Sequence, residues 1–257
     1  MNQINRLDFL IDSFLAESNH YKDIIIPDDI KSKKELLRGL LNVRKPSFVN
    51  KKILKIQDEY LKHELYNRNI VSINDLKPVY NNIYLWKGDI TTLEVDAIVN
   101  AANSEMLGCF IPNHGCIDNA IHTYAGIQLR NRCQELMKKQ GHAEPMGVAT
   151  ITDAYNLPSK YIIHTVGPII SEELTTQDCA LLESCYHSCL KKALENEIES
   201  IAFCCISTGE FHFPNDMAAE IAVNTVNTYL KDCEKELKVV FNVFKEIDYE
   251  IYNKLLR

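Results

Sequence analysis

From about residue 80 onward, short apolar runs alternate with amphipathic segments, and this alternation restricts the possible folds more than any other feature. The runs have the length and residue types of strands; they are NIYLW, DAIVNAA, VATITDA, YIIHTVG, SIAFCCIS and KVVFNVF. Segments with helical apolar spacing separate several of them, at about 117–139 with a break near Gly126, at about 176–197, and after Asn215. Strands that alternate with helices predict a three-layer α/β domain with a largely parallel sheet.

Residues 1–78 have a different pattern and predict a helical N-terminal extension, which leaves residues 79–257 for the α/β domain. Apolar residues recur at helical spacing near residues 7–15, near 36–41 and over about 48–66. Ser32 with Glu35 fits a capping box for the second of these helices, and Pro46 is expected to end it. Nothing in the extension has a catalytic signature.

Composition excludes several classes of protein. Hydrophobic residues at 46% and charged residues at 25% are ordinary for a soluble chain, and no apolar run approaches the roughly 18 residues of a membrane helix. The N-terminal residues do not resemble a secretory signal, so a cytoplasmic protein without membrane association is expected. A formal charge of −7 argues against nucleic-acid binding. The nine cysteines are odd in number and mostly sit in apolar segments, so no disulfide framework is predicted.

Two loops are expected at the carboxyl edge of the sheet, where ligands gather in such folds. The first follows DAIVNAAN and contains GCFIPNHGC at 108–116, and the second is STGEFHFP at 207–214. A Ser-Thr-Gly turn between a buried strand and a helix leaves backbone N–H groups unpaired, which suits a phosphate or a diphosphate. An ordinary strand-to-helix turn is the alternative.

Five motifs occur in the order and spacing of a known family. They are GDIT at 88–91, VDAIVNAANS at 95–104, DNAIH at 118–122, IHTVGP at 163–168 and STGEFHFP at 207–214. Over roughly residues 80–255 the chain resembles the macrodomains, a family of ADP-ribose-binding modules and hydrolases. The resemblance implies a mixed, mainly parallel sheet flanked by helices, and ADP-ribose as the ligand.

The resemblance also assigns binding residues. Asp89 is similar to the family's acceptor for the adenine amino group, with Ile90 beside it, which agrees with the acceptor chemistry of a carboxylate. Asn103 matches the residue that binds the distal ribose hydroxyls. Phe244 matches an aromatic position against adenine, although an aromatic residue at a strand end is often part of a core.

The second loop matches the family's diphosphate loop, in which backbone donors take the place of lysine or arginine. The residues expected to wrap the diphosphate are Ser207, Thr208, Gly209, Glu210 and Phe211. Cys116 and Ile117, at the start of the helix after the first loop, complete the expected ligand-binding set.

The first loop departs from the common macrodomain pattern, because GCFIPNHGC replaces a glycine-rich run. Cys109, His114 and Cys116 supply thiolate and imidazole, the ligands that zinc prefers. Two alternatives remain: packed free thiols beside a surface histidine, or a structural zinc completed by a distant fourth residue. The arrangement resembles a zinc-dependent bacterial branch of the family, which has an N-terminal helical extension and removes ADP-ribose from modified proteins. Three protein ligands leave an open position, as in catalytic zinc sites.

The implied reaction is hydrolysis at C1″ of the distal ribose of a mono-ADP-ribosylated protein. Zinc would either lower the pKa of a bound water toward about 7 or orient a ribose hydroxyl. Asp118 is the first candidate to activate or position water, and a helix N-cap is its alternative role. Asn103 and Glu210 complete the candidate catalytic set, with a solvated loop glutamate as the alternative for Glu210.

Three histidines have competing interpretations. His122 follows Asp118 by one helical turn, so the two either share a hydrogen bond or His122 only packs. His212 is a fourth metal ligand, a ribose contact or an outward-facing side chain. His164 lies inside a predicted strand and is expected to be a core histidine with satisfied hydrogen bonds.

Two other functions compete with the hydrolase. One is a reader that binds ADP-ribose and uses zinc only to shape the loop. The other is an enzyme that deacetylates O-acetyl-ADP-ribose, although an added helical extension suits recognition of a protein partner better.

Overall fold

A seven-stranded sheet forms the centre of the molecule, and the computed structural model describes every residue from Met1 to Arg257. The strands are β1 (Val71–Ser72), β2 (Pro78–Tyr80), β3 (Ile83–Lys87), β4 (Leu93–Glu94), β5 (Ala97–Ala101), β6 (Ala149–Asp153), β7 (Tyr161–Thr165), β8 (Ser200–Phe203) and β9 (Lys238–Val243). The sheet has the order β2-β3-β9-β8-β5-β7-β6, while β1 and β4 form a separate parallel pair. All six strands predicted from the apolar runs are confirmed. The sequence pattern missed β1, β2 and β4, which are too short to show a period.

The central strands β3, β9, β8, β5 and β7 run parallel, and the edge strands β2 and β6 are antiparallel to their neighbours. Central strands of this kind are covered on both faces, which explains their continuous apolar sequences. Ile98, Ile163, Ile201 and Val240 are all completely buried. The carboxyl ends of these parallel strands meet at one edge of the sheet, as the predicted fold class requires.

Eight α-helices surround the sheet and form the extension. They are α1 (Gln3–Leu15), α2 (Ile30–Val43), α3 (Lys51–Tyr66), α4 (Ile117–Ala125), α5 (Ile127–Gln140), α6 (Thr176–Glu195), α7 (Asn215–Asp232) and α8 (Glu246–Leu255). The predicted break between α4 and α5 is confirmed at Gly126, whose φ of 98° ends the first helix. The sequence pattern missed α8. None of these helices combines the length and the apolar composition that a bilayer crossing requires.

The predicted capping box at the start of α2 is wrong. Asp29 is the N-cap, and its carboxylate accepts a hydrogen bond from the backbone N–H of Ser32. The helix therefore begins at Ile30, one turn earlier than the Ser32–Glu35 motif indicated. Asp is as strong an N-cap as Ser, so the earlier residue captures the free N–H groups of the first turn.

The helices α1, α2 and α3 pack around their own apolar cluster, which includes Leu10, Phe14, Leu37 and Tyr60. Ile127, at the start of α5, belongs to the same cluster. The extension is thus packed against the α/β domain at the helix pair that follows the first loop. The division of the chain at residues 78 and 79 stays a prediction.

Candidate functional site

A cleft of about 830 Å³ opens at the carboxyl edge of the sheet. The loops that follow β3, β5, β8 and β9 contribute its walls. All the residues that the sequence assigned to binding, metal ligation or catalysis line it: Asp89, Ile90, Asn103, Cys109, His114, Cys116, Ile117, Asp118, Ser207, Thr208, Gly209, Glu210, Phe211 and Phe244. These residues come from four separate loops, so the topology brings them together.

Cys109, His114 and Cys116 form a compact group of donor atoms at one end of the cleft. Their potential ligand atoms all lie within 4.8 Å of one another, and Cys109 Sγ is 3.6 Å from His114 Nδ1. The ligands of a tetrahedral zinc ion are separated by roughly 3.5 Å, given bonds of about 2.0–2.3 Å. The donor types and their spacing therefore fit a zinc ion, and all nine cysteines of the chain are free.

The path of the loop depends on two residues with left-handed backbone conformation. Gly108 has a φ of 79°, and a Cβ atom at this position would lie 2.7 Å from the ring of His122. Glycine is required there for both reasons. Asn113 has a φ of 55°, a conformation that asparagine tolerates better than most residues. The loop between them folds back, so that Cys109 approaches His114.

Burial affects the protonation of a thiol in this loop. Burial raises the pKa of the Cys116 thiol to about 12, and the neighbouring Cys109 and Asp118 also raise it. Without a positive charge nearby, this thiol would be protonated. A divalent ion deprotonates a coordinating thiol, because it compensates the cost of the buried negative charge.

Asp118 lies in the first turn of α4 but does not cap the helix. The N-cap is Cys116, whose Sγ accepts a hydrogen bond from the backbone N–H of Asn119. The capping alternative for Asp118 is therefore wrong. Its Oδ1 accepts a hydrogen bond of 2.8 Å from Asn100 Nδ2, and its Oδ2 accepts one of 3.3 Å from Asn103 Nδ2. Two amides thus hold the carboxylate at the base of the cleft.

Asp118 is 5% exposed. Burial raises its pKa to about 6, while the Asn100 hydrogen bond and the charge of Arg130 act in the opposite direction. A carboxyl group with a raised pKa at the base of a cleft is a candidate for proton transfer.

The three histidines have distinct environments. His122 Nε2 lies 3.6 Å from Asp118 Oδ1, which is too far for a hydrogen bond, and both ring nitrogens of His122 are buried without partners. His164 is a satisfied core histidine as predicted, since its nitrogens pair with Asn100 and Thr152. His212 is exposed and does not line the cleft, so the outward-facing interpretation is confirmed.

His122, His164 and Cys133 form a second group of donor atoms within 4.8 Å of one another, but this group is fully buried. Burial holds the pKa of His122 well below its ordinary value, and the charge of Arg130 adds to the effect. A cation at this position would meet the Arg130 charge, and both nitrogens of His164 are already engaged. This group does not suit a metal ion.

The loop after β8 presents unpaired backbone donors. The N–H groups of Ser207, Gly209, Glu210 and Phe211 have no acceptor within the protein. Ser207 has a φ of 64°, and its carbonyl accepts from the N–H of Phe213, which closes the loop. Free N–H groups in a loop that lines the cleft suit an anion, and an ordinary strand-to-helix turn does not need them.

Glu210 connects this loop to the possible metal ligands. Its side chain is 69% exposed, and Oε1 lies 3.6 Å from His114 Nε2. The other ring nitrogen of His114, Nδ1, faces Cys109. A carboxylate beside the outer nitrogen of a ligating histidine is a common orienting arrangement. This exposure is also what the alternative interpretation, a solvated loop glutamate, requires.

Phe244 and Asp89 lie at the other end of the cleft. The ring of Phe244 is 76% exposed, so its interpretation as a core residue is wrong. Asp89 Oδ1 accepts hydrogen bonds from the backbone N–H and the hydroxyl of Thr91. Its Oδ2 pairs with Arg68, whose guanidinium lies 3.7 Å from the centre of the Tyr124 ring. The carboxylate is thus held in place at the mouth of the cleft.

Several cleft residues had escaped the sequence analysis, among them Arg38, Tyr124, Lys245 and Asp248. Arg38 belongs to α2, where the sequence shows only helical periodicity. Lys245 directly follows Phe244, so its position beside a proposed binding residue was an available signal. Arg38 and Lys245 bring positive charge to the cleft from outside the diphosphate loop, which itself contains no arginine or lysine.

Comparisons with known proteins agree with this geometry. A family model described as Macro domain matches residues 99–222. A protein of Treponema medium named Protein-ADP-ribose hydrolase is 54% identical over 260 residues, covering 100% of both chains. A Staphylococcus aureus (strain MSSA476) protein of the same name is 49% identical over 251 residues, covering 97% of this chain and 94% of its own.

Solved structures give the same result. A macrodomain of Trypanosoma brucei in complex with ADP-ribose superposes with a TM-score of 0.67 at 30% identity, covering 86% of this chain and 95% of its own. A mutant macrodomain of Oceanobacillus iheyensis with ADPR has a TM-score of 0.64 at 36% identity, covering 70% of this chain and 95% of its own. The order of the motifs, the sheet topology and the full-length similarity to these relatives all agree: the chain belongs to the macrodomain family.

Proposed function

We propose that the protein is a zinc-dependent hydrolase that removes mono-ADP-ribose from modified proteins by cleavage at C1″ of the distal ribose. The observation that carries the proposal is the donor group of Cys109, His114 and Cys116 in the same cleft as the buried Asp118. Relatives named Protein-ADP-ribose hydrolase cover nearly the whole chain, including the extension, which supports the hydrolase activity.

ADP-ribose would lie along the cleft with adenine at the Phe244 end. Asp89 would accept from the adenine amino group, with Ile90 beside it, and the exposed ring of Phe244 would stack on the base. The free N–H groups of the loop at 207–211 would bind the diphosphate. Cys116 and Ile117 begin α4, and the unpaired N–H groups of its first turn would also face the ligand. In this order the distal ribose would lie near Asn103 and the metal ligands.

Cys109, His114 and Cys116 would hold the zinc ion. When bound, zinc supplies a positive charge that acidifies water or fixes a ribose hydroxyl. Asp118 would accept a proton from the attacking water or orient it, because its carboxylate is buried and both oxygens are already aligned by amides. Asn103, which donates to Asp118, would share its amide between this carboxylate and the ribose. Glu210 would orient His114 from the cleft side.

Incubation of the purified protein with mono-ADP-ribosylated proteins of defined linkage tests the proposal. The expected result is release of free ADP-ribose, which a zinc chelator abolishes and added zinc restores. Binding of ADP-ribose without turnover would support a reader instead. Turnover of O-acetyl-ADP-ribose alone would support the deacetylase. Release that is insensitive to the chelator would refute the role of zinc while leaving the hydrolase.

Phe244→Ala is expected to weaken ADP-ribose binding by about 1–3 kcal/mol, the usual contribution of stacking between a base and an aromatic ring. The free energy of unfolding should hardly change, because the ring is 76% exposed. Calorimetric titration with ADP-ribose and thermal melting measure the two effects. Phe48→Ala is the matched control, since this ring is 93% exposed and does not line the cleft. Equal affinities of the two variants would refute the adenine assignment.

A further inference from the structure

Helix α2 of the N-terminal extension contacts the loop that carries the three metal-ligand candidates. Arg38 Nη2 donates one hydrogen bond of 3.0 Å to the backbone carbonyl of His114 and a second of 3.0 Å to Asn119 Oδ1. Asn119 in turn donates from Nδ2 to the carbonyl of Ile111. One guanidinium therefore ties a possible metal ligand to the first turn of α4.

Asn42, one helical turn after Arg38, makes a second link. Its Oδ1 accepts a hydrogen bond of 2.9 Å from the backbone N–H of Asn113, and its Nδ2 donates one of 2.8 Å to Thr123 Oγ1. The side chain of Asn42 is almost fully buried. Asn113 is the residue with left-handed conformation, so Asn42 holds the loop at its least favourable backbone position.

We propose that α2 is a structural part of the metal site, and that Arg38 and Asn42 are positioning residues that keep residues 109–116 in the conformation that binds zinc. This inference rests on the zinc site of the proposed function. A loop that already has its metal-binding conformation loses little conformational entropy when the ion binds.

The charges are consistent with this role. Two thiolates and one divalent ion carry no net charge, so the Arg38 guanidinium meets little repulsion from an occupied site. Arg38 also lines the cleft, so it lies on the side of α2 that faces the candidate site. The pair of Arg6 with Glu59 joins two helices of the extension to each other, and the contact of Gln57 with Gln128 joins the extension to α5; neither involves residues 109–116.

The test compares Arg38→Met, Arg38→Lys and Asn42→Leu with Arg6→Met as the matched control. Arg6→Met removes a partly buried ion pair between α1 and α3 and leaves the loop contacts intact. Zinc-loaded protein is mixed with excess chelator, and the rate of zinc loss is followed optically. Loss of a supporting contact typically reduces metal affinity by 10–100-fold, so we expect zinc to leave Arg38→Met at least about tenfold faster than the wild type.

Hydrogen exchange of the metal-free protein gives a readout that does not depend on zinc or activity. Two amides of the loop are hydrogen-bonded: the Asn113 N–H donates to Asn42, and the His114 N–H donates to the carbonyl of Ile111. Both should exchange faster in Arg38→Met and Asn42→Leu, but not in Arg6→Met. Arg38→Lys should restore part of the protection, since a lysine reaches one of the two acceptors. Melting temperatures separate these local effects from unfolding.

Wild-type rates of zinc loss and loop exchange in Arg38→Met and Asn42→Leu would overturn the inference and leave the zinc-dependent hydrolase intact. An equal acceleration in Arg6→Met would also overturn it, because the effect would then come from general loosening of the extension. A wild type that binds no zinc would refute the zinc dependence itself, a result distinct from either of these.

Discussion

Replacement of all three donor residues, Cys109→Ala, His114→Ala and Cys116→Ala, is expected to abolish zinc binding. Turnover of mono-ADP-ribosylated protein should fall by at least about 100-fold, because a catalytic metal ion contributes several kcal/mol to the stability of a transition state. Elemental analysis measures bound zinc, and the release of free ADP-ribose measures turnover. Both should be compared per folded molecule, since Cys116 is also the N-cap of α4.

The matched control replaces residues of the same types that lie outside the cleft. Cys179, His142 and Cys233 are not part of its lining, and their replacement by alanine removes two thiols and one imidazole without touching the donor group. This control should keep its zinc and its turnover. Full turnover in the variant that lacks all three donor residues would show that these side chains only pack in the loop and do not serve the reaction. Retained zinc in that variant would place the metal elsewhere in the chain.

Asp118→Asn should lower turnover by about 10²–10⁴-fold, the usual contribution of a positioned proton acceptor. The amide has nearly the same shape but cannot accept a proton, so binding of ADP-ribose should largely persist. In the wild type, Asn100 and Asn103 each donate a hydrogen bond to one oxygen of this carboxylate. In the variant an NH₂ group replaces one of these oxygens and faces one of the two donors. That conflict should reduce the free energy of unfolding by about 1–3 kcal/mol.

Asp178→Asn separates catalysis from helix stability. Asp178 lies in the first turn of α6, where it forms a capping box with Thr175. Its replacement should reduce stability by about 1 kcal/mol or less and leave turnover unchanged. Steady-state turnover of the two variants is compared at equal concentrations of folded protein. If Asp118→Asn loses stability but turns over as fast as Asp178→Asn, its carboxylate serves the fold and not the reaction.

Local sequence patterns predicted most of the α/β architecture because strands and helices have distinct apolar periods. DAIVNAA and SIAFCCIS are continuous apolar runs, as expected for central parallel strands, and the structure contains both as β5 and β8. The break at Gly126 was also visible, since glycine ends helices. Two-residue strands such as β1 have no period, and their existence depends on the partner strand.

The candidate site was predictable in its residue types and less so in its connections. Thiols and imidazole within one short loop indicated zinc chemistry, and five ordered motifs indicated the family. The sequence did not reveal that Cys116 caps α4 while Asp118 turns toward Asn100, because both residues occupy favourable positions for a helix start. Burial of the Asp118 carboxylate by β5 decided between them.

The sequence by itself determined the alternation of strands and helices, the helical nature of the extension and the donor atoms available for a metal ion. These properties follow from interactions between residues close together in the chain. The tertiary structure alone decided that Arg38 bonds the carbonyl of His114, 76 residues away, and that Arg68 pairs with Asp89. Such contacts leave no local signal, because they arise only when the apolar faces of separate elements pack and bring distant polar groups within hydrogen-bond distance.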